Sequence, residues 1–158
     1  MQSIKPICQT IVQRLRETLG EKLISVALFG SYARGDYHPE SDLDLLVIAE
    51  GLPAHPVERI QWLHHLVVPV AKKRVGFVAW TPEEFSRAFP SLYLDLGLDA
   101  RIFFDSCGFL TERLQRVQEI IEEAGLYRVQ NGRNFAWRFK KPPQRGYEIN
   151  WEGYRELK

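Results

Sequence analysis

The chain has 158 residues, of which 45% are hydrophobic and 26% charged, and its formal net charge at pH 7 is +1. This length suffices for one domain with a core of its own, or for one domain with an appendage, and the composition argues against intrinsic disorder. The near-neutral balance predicts no polyanion partner by itself, and no apolar run approaches the roughly 20 residues of a membrane-spanning helix.

Hydrophobic periodicity divides the chain into alternating helices and strands. We predict strands over Leu23–Phe29, Leu43–Ile48 and Val75–Trp80 and a short strand over Arg101–Phe104. Long helices are predicted over Ile4–Leu19, from Val57 to about Val68 and over Phe109–Ala124, and shorter helices begin at Thr81 and Ser91. Gly30 to Gly35 is predicted to be a turn. Pro69 bends or ends the helix before it, and Thr81-Pro-Glu-Glu84 is a capping box that starts the next one.

After the last long helix, Asn131-Gly132 predicts a tight hairpin between strands over Tyr127–Gln130 and Asn134–Phe139. The alternation of strands and helices predicts an α/β (α+β) fold, with a small mixed sheet flanked by helices and a C-terminal β-hairpin extension. We place the domain boundary after residue 125. Residues 1–125 then form the main domain, and residues 126–158 form a hairpin and tail packed on it.

The last 33 residues differ in charge from the rest of the chain. They contain eight basic and three acidic residues, a net charge of +5, which leaves −4 on the first 125. Aromatic residues alternate with the basic ones, which suits a surface for bases and phosphates. The same alternation is what a half-buried hairpin needs, with Phe135, Trp137 and Phe139 covering a core or a dimer partner, and we favour this interpretation. Trp151 and Tyr154 are less easily explained by the hairpin and are candidate interface anchors.

The two cysteines, Cys8 and Cys107, are far apart, and the amphipathic N-terminus lacks the apolar segment of a signal peptide. Distant thiols without an export signal are typical of reduced cysteines. The four histidines show no spacing typical of a structural zinc site. We therefore expect a cytoplasmic protein that does not contact a membrane.

Two carboxylates stand where the second predicted strand begins. Asp42 and Asp44 are two residues apart, so in a strand their side chains point to the same face. Like charges on one face repel and lose hydration near a sheet, but a cation between them removes this cost. Oxygen ligands of this kind suit Mg²⁺ or Mn²⁺ together with phosphates. The alternative is that both aspartates are solvated at the end of an edge strand.

Gly30 and Ser31 follow the first predicted strand directly. Glycine lets a phosphate approach the backbone, and serine adds a hydroxyl donor, so this turn is a candidate phosphate cradle. Taken alone, the pair is better explained as a tight turn. With ten residues between Ser31 and Asp42, a cradle and a metal pair on neighbouring strands could share one nucleoside triphosphate (NTP).

The stretch GSYARG followed by SDLDLLV, within residues 30–47, resembles the signature of the DNA polymerase β-like nucleotidyltransferase superfamily. It is most similar to the small stand-alone members called minimal nucleotidyltransferases, some of which are encoded beside a HEPN-domain toxin. The resemblance implies the nucleotidyltransferase fold, Asp42 and Asp44 as catalytic metal ligands, and Gly30 and Ser31 as nucleotide-binding residues. Arg34, in the variable turn of the motif, is a further candidate for the triphosphate, although an exposed ion pair would explain it equally well.

The chain departs from the family at a third carboxylate, which usually stands on a later strand and accepts a proton from the attacking hydroxyl. Aligned on Thr81-Pro-Glu-Glu84, the strand RVGFVAW places Gly76 at that position. Glycine supplies neither a ligand nor a base, and loss of a general base costs about 10²–10⁴ in rate. The substitutes that the sequence offers are Glu40, Asp95, Asp99 and Asp105.

The sequence therefore predicts an enzyme, a nucleotidyltransferase that moves a nucleoside monophosphate from Mg²⁺-NTP to a hydroxyl group of a protein, an RNA or a small molecule. The alternative is a catalytically weakened nucleotide-binding module that regulates a partner, resembling an antitoxin with a HEPN-type partner. A homodimer and, from the basic tail, a nucleic acid are the other partners considered. The sequence identifies neither the acceptor nor the base of the NTP.

Overall fold

The computed structural model describes residues 3–156. Its helices are α1 Lys5–Leu19, α2 Gly30–Arg34, α3 Pro56–Ala71, α4 Pro82–Arg87, α5 Leu92–Asp99 and α6 Phe109–Ala124. Its strands are β1 Leu23–Phe29, β2 Leu43–Ala49, β3 Val75–Trp80, β4 Arg101–Asp105, β5 Leu126–Asn131, β6 Asn134–Phe139, β7 Glu148–Asn150 and β8 Gly153–Arg155. The predicted strands and long helices are confirmed, with ends that differ by a few residues at most. Within residues 3–156, no helix is both long and apolar enough to span a membrane.

The chain forms two compact units. The first comprises the residues up to Arg87 together with Asp99–Thr111, and the second comprises Ala88–Leu98 and the residues from Glu112 onward. The first unit contains the four-stranded sheet, and the second contains both C-terminal hairpins. A domain boundary after residue 125 stays a prediction.

The sheet of the first unit has the strand order β3-β2-β1-β4. β1 is antiparallel to both β2 and β4, whereas β2 and β3 are parallel, so the sheet is mixed as predicted. β2 lies at its centre, and every residue from Leu45 to Ala49 is buried. The near-continuous apolar run that predicted this strand is what burial on both faces requires.

Helices α1 and α3 cover one face of the sheet. The odd-numbered residues of β2 belong to one apolar cluster with side chains from both helices, among them Ile11, Leu15, Leu63 and Val67. Because side chains alternate along a strand, the even-numbered residues of β2 point to the opposite face. The first of these is Asp44, so the alternation puts a carboxylate on the face that α1 and α3 leave uncovered.

A buried arginine joins α3 to the end of β3. The Arg59 guanidinium donates to Glu84 Oε1 at 2.7 Å and to the Ala79 carbonyl at 3.1 Å, and these bonds compensate for its burial. The hydrogen bond from Arg59 is the main reason that the pKa of Glu84 lies below its usual value. Glu84 also accepts from the N–H of Thr81, while Thr81 Oγ1 accepts from the N–H of Glu84, which confirms the capping box.

α3 extends a few residues beyond its predicted end near Val68, because Pro69 does not end the helix, which continues to Ala71. Pro69 removes one backbone donor, but the apolar face goes on with Ala71, which is buried in the core cluster. The C-cap residue is Lys72, and its left-handed φ of +52° ends the helix after Ala71. Packing of the last turn therefore outweighs the local effect of proline.

In the second unit, β5 and β6 pair in the predicted hairpin, with Asn131 opposite Asn134 across the turn. Trp137 Nε1 and Arg128 both donate to Asp95 Oδ1 at 3.1 Å, and the guanidinium of Arg128 lies 4.4 Å from the centre of the Phe135 ring. Phe135, Trp137 and Phe139 are partly buried, whereas Arg138 and Lys140 are exposed. This is the pattern of a half-buried hairpin.

A second, shorter hairpin, β7–β8, follows in the same unit, where the sequence carried no strand signal. The turn between its strands contains Trp151, whose Nε1 donates to the Ala88 carbonyl at 2.8 Å. The ring of Trp151 lies 4.9 Å from that of Phe89 and 5.6 Å from that of Tyr93, measured between ring centres. Trp151, a candidate interface anchor from the sequence, is thus packed against its own unit.

Asp105, at the end of β4, forms the start of α6. Ser25, which is fully buried, donates to Asp105 Oδ1 at 2.7 Å, and the N–H groups of Leu110 and Thr111 donate to the two carboxylate oxygens. Burial alone would raise the pKa of Asp105, but these hydrogen bonds outweigh it and lower the pKa below its usual value.

We expect Asp105→Asn to lower the free energy of unfolding at neutral pH by about 1–3 kcal/mol, because the amide accepts with one oxygen only and has no charge to strengthen the remaining hydrogen bonds. A carboxylate with a lowered pKa stabilises the fold above its unfolded pKa of 3.8, and this contribution disappears as the pH falls through the folded value. Urea unfolding of both proteins at several pH values measures the effect. The difference should shrink below about pH 4, and a difference independent of pH would contradict the assignment.

Candidate functional site

The two aspartates of the motif lie at the start of β2. Asp44 is in the strand, where it pairs with Phe29 of β1 on one side and with Gly76 of β3 on the other, and Asp42 comes just before it. Burial is the main cause that raises the pKa of Asp44, and the charge of Asp42 raises it further, while the charge of Arg34 lowers it. The two carboxylates are thus close enough to interact, as their spacing predicted.

Gly30 lets the backbone pass directly beside the carboxylate of Asp44. Its φ is +74°, and a Cβ atom at this position would lie 2.3 Å from Asp44 Oδ2. A side chain at this position would have to displace the Asp44 carboxylate, so both the conformation and the space favour glycine. Ser31 follows in α2, and no side-chain hydrogen bond caps this short helix. The turn predicted to hold phosphates therefore lies against the aspartate predicted to hold a metal.

Arg34, at the end of α2, is held by two carboxylates. Its Nε lies 3.2 Å from Asp36 Oδ2, and its Nη1 lies 3.5 Å from Asp99 Oδ2. Arg34 therefore forms ion pairs, which was one of the two roles that the sequence suggested for it. A role for Arg34 in binding a triphosphate stays a prediction, and it would require at least one of these contacts to loosen.

Arg74 is a neighbour of the site that the sequence did not single out. It stands directly before β3, its Nε donates to Asp42 Oδ1, and its Nη2 donates to the Glu40 carbonyl at 2.6 Å. The parallel pairing of β2 with β3 is what brings it there. The sequence feature that could have indicated this contact is a basic residue directly before β3, the strand that pairs with β2.

Gly76 lies directly beside Asp44 across the β2–β3 pairing, the place that the alignment on the capping box predicts for the third carboxylate. A Cβ atom at Gly76 would lie 3.0 Å from Asp44 Oδ1, so a side chain here would point at the aspartates. The position that the resemblance assigns to a third carboxylate is therefore a glycine beside Asp44, and that assignment stays a prediction. Among the described residues, no cluster of three or more acidic, histidine or cysteine side chains is arranged to hold a metal ion.

Three of the four substitute carboxylates have other partners. Asp105 caps α6, Asp99 is paired with Arg34, and Asp95 accepts hydrogen bonds from Arg128 and Trp137. Glu40 is exposed, and it is its backbone carbonyl that accepts the bond from Arg74. The partners of Asp99 and Asp105 therefore give no support for either residue as a third carboxylate of the site.

We expect Gly30→Ala to abolish metal-dependent nucleotide binding, because the new methyl group would displace the carboxylate of Asp44. Gly35→Ala is the matched control: Gly35 also has a positive φ, +91°, but a Cβ atom there meets nothing within 4 Å. Both variants should lose about 1 kcal/mol of stability from backbone strain. Calorimetric titration with a nucleotide and Mg²⁺ separates them, and equal loss of binding in both would count against the close approach of Asp44.

Comparison with known proteins agrees with this geometry. The sequence model of the nucleotidyltransferase domain matches residues 8–106. A protein of Methanocaldococcus jannaschii, named as a putative protein adenylyltransferase, is 31% identical over 120 residues, which cover 73% of this chain and 82% of that protein. A second protein of that organism with the same description is 57% identical over 35 residues, or 22% of this chain and 35% of its own.

A solved toxin–antitoxin structure with AMP-PNP contains a chain of similar fold, with a TM-score of 0.50 and 19% identity over 73% of this chain and 90% of that one. A likeness at this identity concerns the fold alone. The match to the domain spans more than half of the sequence and includes every strand of the four-stranded sheet. This chain is a member of the nucleotidyltransferase domain family.

Proposed function

We propose that this protein transfers a nucleoside monophosphate from an Mg²⁺-bound NTP to a hydroxyl group of a protein, with ATP as the donor. The observation that carries the proposal is the contact between Gly30 and Asp44, since it joins the phosphate turn to the metal-binding strand. The donor and the acceptor class come from the M. jannaschii relatives, which are named as putative protein adenylyltransferases.

The residues present fit a divalent cation. Asp42 and Asp44 offer carboxylate oxygens at the start of β2, and the glycines at 30 and 76 place no side chain against the Asp44 carboxylate. Such a pair suits Mg²⁺, which prefers one or two carboxylates and fills its other positions with water and phosphate oxygens. When bound, the cation would offset the negative charge that develops on the phosphates.

In the proposed reaction the hydroxyl oxygen of the acceptor forms a bond to the α-phosphorus, and the bond to the leaving pyrophosphate breaks. Gly30 and Ser31 would seat the phosphates, and Asp42 and Asp44 would orient the donor through the cation. The hydroxyl proton has no acceptor at position 76, because glycine has no side chain. It must therefore pass to water or to a group that the acceptor protein brings, so we expect slow turnover.

A second function is favoured by the same glycine. A protein that binds Mg²⁺-NTP but transfers slowly could act mainly by binding and regulating a partner, and a chain in a toxin–antitoxin structure shares its fold. Incubation with each α-labelled NTP and a cell lysate distinguishes the two functions. A labelled acceptor would support transfer, whereas tight NTP binding with no label on any molecule would support regulation.

We expect Asp42→Asn combined with Asp44→Asn to abolish Mg²⁺-dependent NTP binding while leaving the fold intact or more stable, because two crowded charges are removed. Glu83→Gln is the control, since Glu83 is an exposed carboxylate that pairs with Arg87 and is not part of the proposed site. Titration calorimetry measures the affinity, and thermal unfolding measures the stability. Unchanged affinity in the double variant would eliminate the metal site.

We expect Gly76→Asp to strengthen divalent binding and to raise transfer at least tenfold, since it restores a carboxylate beside Asp44. Without metal the new charge should lower the melting temperature, because a side chain at 76 lies close to Asp44, and Mn²⁺ should restore it. Gly76→Ala, which adds the Cβ atom without the charge, is the control. If Gly76→Asp lowers transfer while binding metal normally, another group already serves as the base.

A further inference from the structure

Arg74 holds a guanidinium group on one of the two aspartates of the proposed metal site. Besides its bonds to Asp42 and to the Glu40 carbonyl, its backbone is fixed, because the N–H of Leu43 donates to the Arg74 carbonyl at 2.9 Å. The backbone of Arg74 is therefore hydrogen-bonded to Leu43, the residue after Asp42. A cation that belongs to the protein thus lies against the carboxylate that would bind a metal.

Stability does not explain this contact. The side chain of Arg74 is 71% exposed and that of Asp42 is 44% exposed. Ion pairs between exposed side chains contribute little to stability, since water screens them and ordering long side chains costs entropy. The pair is consequently easy to break when another cation arrives.

We propose that Arg74 couples metal binding to nucleotide binding, so that the site takes a divalent cation efficiently only together with a nucleoside triphosphate. This inference rests on the metal site of the proposed function. A bare cation has to displace the guanidinium from Asp42 or bind beside its positive charge, and either way its affinity falls. The triphosphate carries several negative charges, so the released guanidinium attracts the metal–nucleotide complex.

The opposite role for Arg74 makes the opposite prediction. A carboxylate can accept a hydrogen bond and bind a metal at the same time, and such outer contacts often orient metal ligands. If Arg74 only oriented Asp42, its removal would weaken the binding of a bare cation. The sign of the change in metal affinity therefore decides between the two roles without any measurement of turnover.

The test is titration of Mn²⁺, alone and with a non-hydrolysable ATP analogue, into the wild type, Arg74→Gln, Arg74→Lys and Lys72→Gln. Removal of one positive charge at this distance should tighten Mn²⁺ alone by about tenfold in Arg74→Gln and weaken the analogue by a similar factor. Arg74→Lys keeps the charge but cannot form both hydrogen bonds, so it should lie between the two. Lys72→Gln removes an exposed charge two residues away and should change neither affinity more than about twofold.

Weaker Mn²⁺ binding in Arg74→Gln would overturn the proposal in favour of an orienting role. The same shift in Lys72→Gln would overturn it in favour of a general effect of surface charge, and no shift in either variant would leave Arg74 without a role in binding. Because Arg74 is exposed, all variants should fold, which thermal unfolding verifies. The double aspartate variant separates the two failures, since its loss of Mn²⁺ binding supports the metal site whatever Arg74 does.

Discussion

The half-buried carboxylate of Asp44 is the constraint on which the candidate site depends. It lies in the central strand, with β1 and β3 on either side, and its pKa is raised chiefly by burial and then by Asp42. The chain accommodates it with glycine at both flanking positions, Gly30 and Gly76, where a Cβ atom would lie 2.3 Å and 3.0 Å from its oxygens. A charge that is costly without a ligand is the arrangement expected where a cation binds.

The other carboxylates near the ends of the sheet serve the fold. Asp105 starts α6 and holds the buried hydroxyl of Ser25, and Asp99 pairs with Arg34. Because a carboxylate with such partners cannot leave without exposing unpaired donors, these residues are poor replacements for the side chain that Gly76 lacks. In terms of the proposed function, the chain has the residues proposed to bind a metal–nucleotide complex, and it has glycine at the position proposed for the proton acceptor.

Much of the first unit was predictable from the sequence because its strands are short, apolar and bounded by turns. The bounds of β1 and β3 and the capping box at Thr81 follow from local chemistry, and the resemblance of the motif identified the family. The spacing of Asp42 and Asp44 also indicated that they interact. The contact of Arg74 with Asp42, which depends on the register between β2 and β3, was not predicted from the sequence.

Packing explains the remaining differences. α3 passes Pro69 because Ala71 is buried, and β7–β8 forms where Trp151 packs against Phe89 and Tyr93, far away in the sequence. A local pattern contains no information about such partners. The half-buried hairpin could be predicted, because Phe135, Trp137 and Phe139 alternate with basic residues in the sequence itself.

The two glycines beside Asp44 also differ in how freely they can evolve. Gly30 has a left-handed φ and no room for a Cβ atom, whereas Gly76 has an ordinary strand φ, and a Cβ atom there requires Asp44 to move by only a few tenths of an ångström. Each glycine codon becomes an aspartate or a glutamate codon by a single base change, so one point mutation places an acidic side chain at position 76. If position 76 decides between the two functions proposed above, a lineage of such proteins can change from one to the other without rebuilding its fold.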